Sequence, residues 1–168
     1  MSPVGRLAWA LFLGFAAAAC ASQFETVDRT SRGPTAQELF TIRSYAINGR
    51  EPSFDERRMW EDQIDARIGK YLREHPELQQ TPRYSDFRFW KQVTPGSTPE
   101  EVRVLLEEPA EQTIDPALMA AMSRRHWSVL QGRAREAWVY PPGWVIYFGD
   151  EGVIEMTRRT STLDTSPE

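Results

Sequence analysis

Apolar positions recur along this chain with two periods, and the change of period divides it. From Thr35 the pattern is helical. Thr35 and Glu38 make a capping pair ahead of Leu39, Ile42 and Ile47, and Asn48-Gly49 stops the run, so a helix is expected over about 36–47. Ser53 and Glu56 open a second helix. Its apolar residues Trp60, Ile64, Ile68, Tyr71 and Leu72 fall at i, i+4, i+8, i+11 and i+12, one stripe that ends before Pro76. Charged residues flank that stripe as a solvated face. The stripe is too short for a coiled-coil seam, so it is expected to pack on its own domain. Tyr84 to Val93 fits either period and reads as a short helix packed into the core through Phe87, Trp90 and Val93.

A third helix start lies in Val93–Pro109. Thr98 suits an N-cap, Pro99 the first helical position and Glu101 the return arm of a capping box. Val102, Leu105 and Leu106 form its apolar stripe, and Pro109 ends it. The chain then runs polar to Asp115-Pro116. Leu118, Met122, His126 and Val129 or Leu130 predict one more helix, up to Gly132.

Beyond it the period becomes two. Strands are expected at Ala137–Tyr140, Trp144–Phe148 and Val153 to about Arg159, joined by Pro141-Pro142-Gly143 and Gly149-Asp150-Glu151-Gly152. Alternation puts Trp138, Tyr140, Trp144, Ile146, Phe148, Ile154 and Met156 under the helices. It leaves Val139, Val145, Tyr147 and Val153 on the opposite face, which is the candidate partner surface, the alternative being that the helical arm or the inserted helix covers that face as a third layer.

Met1 to Ala19 reads differently. Arg6 precedes an apolar run from Leu7 to Ala19 that is too short to span a bilayer comfortably and fits a secretory signal. Cys20, the only cysteine, directly follows Ala17, Ala18 and Ala19, which resembles the lipid-attachment site of bacterial lipoproteins, the alternative being ordinary signal cleavage that leaves a free thiol. Residues 20–34 read as lipid anchor and flexible tether, 35–81 as a helical arm, 82–160 as an α+β domain and 161–168 as a disordered tail. Loss of residues 1–19 would leave 149 of the 168 residues, enough for one core, and would move the net charge from −4 to −5. An acidic chain gives no support for nucleic-acid binding. A single cysteine allows no disulfide framework.

The ordered set Gly96, Thr98, Glu101, Val102, Leu105, Leu106 and Pro109 resembles the signature of the SmpA/OmlA family, to which the BamE lipoprotein of outer-membrane β-barrel assembly belongs. Trp138 and Tyr140 resemble that family's W-x-Y, and Phe148 its strand ending. Glu107 departs from the pattern, standing where a glycine is expected. The resemblance covers about residues 93–158. It implies helices packed on one face of a three-stranded antiparallel meander, preceded here by the helical arm. It also implies a lipoprotein anchored through Cys20 on the periplasmic side of the outer membrane, binding envelope proteins such as β-barrel assembly components. The related β-lactamase-inhibitor fold implies the alternative of an inhibitor or regulator docking on an enzyme.

Chemistry-bearing motifs are missing from the sequence. His75 and His126 belong to no metal spacing, no nucleophile motif occurs, and Gly96-Ser97-Thr98 lacks the rest of a phosphate loop. No cofactor, no metal and no enzymatic activity are expected, a hydrolase with dispersed residues being the remaining alternative. Arg124, Arg125, Arg133 and Arg135 read first as a solvated face. They are the candidate contacts to anionic lipid head groups, at about 1 kcal/mol for each side chain near such a surface.

Overall fold

The computed structural model describes residues 25–161. Cys20, the expected export segment and residues 162–168 lie outside them. The fold is α+β, built on an open five-stranded antiparallel sheet of order β1-β5-β4-β3-β2. The strands are β1 (Glu25–Arg29), β2 (Glu111–Thr113), β3 (Glu136–Tyr140), β4 (Trp144–Gly149) and β5 (Gly152–Ser161). The helices are α1 (Ala36–Asn48), α2 (Phe54–Glu74), α3 (Pro99–Leu106), α4 (Pro116–Ser123) and α5 (Trp127–Leu130).

Strands β3, β4 and β5 form the expected meander, and two strands extend it. β1 pairs with β5 from Glu25↔Ser161 to Arg29↔Thr157, so the expected tether is a sheet edge from Glu25 onward. β2 pairs with β3 at the other edge. Its polar Glu111-Gln112-Thr113 carried no apolar alternation, because an exposed three-residue edge strand has no face to bury.

Helices cover both faces of the sheet rather than one. On the first face, Leu39 of α1, Ile64 and Ile68 of α2, and Val102, Leu105 and Leu106 of α3 pack on Trp138, Tyr140, Trp144, Ile146, Phe148 and Met156. The helical arm is therefore part of the domain. On the second face, Met119 of α4 and Leu130 of α5 pack on Ala137, Val145 and Tyr147. The expected single helix over 116–132 is broken by a short 3-10 turn at Arg124–His126, and its buried stripe runs through Met119 and Leu130 while Leu118 is exposed.

A bulge decides the faces at the end of the meander. The β4–β5 register shifts between Tyr147 and Phe148, so Phe148 pairs with Val153 and Tyr147 with Glu155. The extra residue reverses the alternation. Val153 enters the first core and Ile154 lies against the second, the opposite of the sequence assignment.

The α3 start forms as its sequence requires. Glu101 N–H donates to Thr98 Oγ1 at 3.1 Å and Thr98 N–H to Glu101 Oε2 at 3.3 Å. Glu101 is buried and also receives both arms of Arg83, at 3.2 and 3.1 Å. Gly96 has φ +85 and donates from its N–H to Val153 O at 2.7 Å. A Cβ on Gly152 would lie 2.7 Å from Ser97 O, so the glycine turn before α3 sits directly on the β4–β5 turn.

Candidate functional site

The corner between α1 and α2 is set by local polar chemistry. Gly49 caps α1 in the left-handed region, its N–H donating to Tyr45 O at 2.9 Å. Ser44 Oγ donates to Arg50 O at 3.0 Å and draws the connection back over the helix end. Arg50 donates with both arms to Glu56, at 2.8 and 2.9 Å, and Ser53 with Glu56 completes a capping box at the start of α2. The Arg50 hydrogen bond and those from Ser53 hold the Glu56 carboxyl at about 2.

The two helices line a groove of about 390 Å³. α1 contributes Phe40, Arg43, Ser44, Ile47 and Asn48, at i, i+3, i+4, i+7 and i+8. α2 contributes Glu56, Met59, Trp60 and Gln63, at i, i+3, i+4 and i+7. The Phe40 and Trp60 rings stack with centroids 4.7 Å apart and planes 9° from parallel. Ile47 is 80 % and Met59 62 % exposed, large apolar side chains turned to solvent on facing walls.

Glu107 closes the α3 end of the groove. Its carboxylate accepts from Arg43 at 2.6 Å and from Arg67 at 2.9 Å, and Arg43 also donates to Leu106 O at 2.6 Å. The residue adopts φ 66, ψ −158, so the positive φ expected of a glycine here is kept with a side chain present. The arginines provide the contacts that hold it there.

A more polar cleft lies across α2 and α3. His75 stacks on Tyr71 at 4.2 Å and lies 3.2 Å from Glu77 and 3.7 Å from Glu100. Glu101 in its wall is neutralised by Arg83. Among the described residues no group of three His, Cys, Asp or Glu is placed to hold a metal ion, and no helix is long and apolar enough to cross a membrane.

The candidate partner face is overturned. Val145 and Tyr147 are buried under α4 and α5, Val139 packs against the same cluster, and Val153 is in the opposite core. The inserted helical segment forms a third layer because its own apolar residues need that face. Burial pushes the Tyr147 phenol above its ordinary pKa.

The candidate head-group arginines do not form one patch. Arg125 pairs with Asp28 of β1 at 2.9 Å, beside His126, whose Nε2 is 2.9 Å from Val27 O. Arg133 and Arg135 sit at the other end of β4, with Arg135 paired to Asp150 at 3.0 Å. Arg124 adjoins the first group. The signature residues do converge: Thr98 caps α3, Val102 and Leu106 are fully buried, and Pro109 follows its exit.

Ile47 was expected in the core and Met59 was in no predicted stripe. The available signal was their misfit: Ile47 is five residues from Ile42, and Met59 precedes Trp60 by one. Trp90, expected in the core, is exposed on a five-residue π-helix beside the exposed Phe89, while Phe87 and Val93 are buried as read.

Comparisons with protein families, curated proteins and solved structures find no match for this chain.

Proposed function

We propose that this protein is a cell-envelope lipoprotein that binds and supports other envelope proteins, in outer-membrane β-barrel assembly. In this reading the α3–β3–β4–β5 unit is a BamE-like core, extended by β1, β2 and the α4–α5 layer. Cys20 carries the lipid and holds the domain on the periplasmic side of the outer membrane. The observation that carries the protein-binding part is the α1–α2 groove, where Ile47 and Met59 face solvent beside the stacked Phe40 and Trp60. Exposed apolar side chains gathered in a concavity are the ordinary mark of an interaction site.

The test is detergent extraction followed by co-purification, comparing wild type with Met59→Glu and Ile47→Glu. Barrel-assembly components are expected with wild type and not with the variants, whose circular-dichroism melts should match wild type because both positions are exposed. Recovery of one periplasmic enzyme instead would favour an inhibitor. Cys20→Ser is expected to release the protein into the soluble periplasmic fraction, and continued fractionation with membranes would remove the anchor from the proposal.

A further inference from the structure

Among the described residues the groove has two helical walls, with Pro52 of the α1–α2 connection and Glu107 of the α3 exit completing its lining. Each wall is a helix presenting a stripe at i, i+3, i+4 and i+7, so the concavity between them is shaped to seat another helix. Charge decides what kind. Inside the groove, the carboxylates of Glu56 and Glu107 are taken up by Arg50, Arg43 and Arg67. On the open side beyond Met59 the situation differs. Asp55 and Asp62 are seven positions apart on α2 and lie next to Met59 on the helix surface. Both are exposed, and neither has an ion-pair or hydrogen-bond partner among the described residues. Arg58, three residues from Asp55 and four from Asp62, flanks both carboxylates on the side away from Met59, so a partner in the groove meets their Met59 side.

We infer that the groove takes an amphipathic helix of a partner protein, apolar along one stripe and carrying Lys or Arg along the edge that meets Asp55 and Asp62. This rests on the protein-binding reading above and adds the chemistry of the partner. The apolar stripe fills the space between Ile47 and Met59, and the basic edge fixes which way the helix is rotated about its axis.

The test uses the full chain in detergent and fluorescein-labelled synthetic helices of about five turns. Leucines occupy one stripe, and the flanking positions are all Lys, all Gln or all Glu. Fluorescence anisotropy is expected to give the Lys peptide roughly tenfold tighter binding than the Glu peptide, from two exposed charge pairs changed from attraction to repulsion. Asp55→Lys with Asp62→Lys should reverse that order. Met59→Glu should weaken all three peptides without moving the melting temperature. Equal affinities, absence of binding, or binding indifferent to Met59→Glu would overturn the inference. If partner co-purification still depends on Met59 in that event, the groove remains a docking site for something other than a basic helix. If that dependence is also absent, the protein-binding reading of the groove fails with it.

Discussion

The phenol of Tyr140 donates to the backbone carbonyl of Glu107 at 2.9 Å, joining β3 to the exit of α3. The carbonyl it engages belongs to a residue whose φ 66 and ψ −158 suit glycine better than any side chain. Two opposed contributions meet at this position: backbone strain, and the ion pairs to Arg43 and Arg67. Glu107→Ala loses the pairs and keeps the strain, whereas Glu107→Gly loses the pairs and relieves it. Urea denaturation is expected to find the glycine variant about 1–2 kcal/mol more stable than the alanine variant. Equal stabilities would mean that the backbone relaxes once the arginines have no carboxylate to hold.

Tyr147 is fully buried between the sheet and the α4–α5 layer. Tyr147→Ala should cost about 3–5 kcal/mol, the range for removing a large aromatic ring from a core. Thermal unfolding by circular dichroism measures this. A loss under about 1 kcal/mol would show that the α4–α5 layer lifts readily from the sheet.

Acid should loosen the α1–α2 corner through Glu56. Its carboxyl is lowered from 4.5 to about 2 by Arg50 and by the capping interactions of Ser53. A lowered folded-state value means the contribution is fully present above about 4.5 and is lost as pH falls through about 2. Urea midpoints of wild type and Glu56→Gln should therefore differ at neutral pH and converge across that window. A gap that stays constant down to pH 2 would exclude Glu56 as its source.

The helices were legible because their signals are local. Thr35, Ser53 and Thr98 each cap a helix within three residues of their own position. Ser53 and Thr98 form the full capping box as read, whereas at Thr35 only the hydroxyl caps, because the Glu38 carboxylate turns to Trp144 and Arg158. The meander was legible for the same reason, its alternation and turns being short-range. What escaped depended on distant partners. β1 has a single buried apolar residue, Val27, and is a strand only because β5 lies beside it. The covered face of the sheet could not be told from an open one, since Val145 and Tyr147 look alike in sequence whether α4 or water meets them. Ile154 and Val153 exchanged places through a bulge that leaves no mark on the alternation. The groove was invisible as a site because its two walls come from stripes that each read, alone, as irregular additions to a core.

The pairing of β1 with β5 also sets an order of events. Glu25 faces Ser161 across the ladder, so the first described strand finds its neighbour only in the last. A chain made from its N-terminus cannot pair β1 until β5 exists, and closing that loop carries the largest chain-entropy cost of any pairing in the sheet. Truncation within β5 would strand both ends at once. The same pairing brings the two ends of the described chain to one corner, so a label attached after Ser161 would report on the surroundings of Glu25.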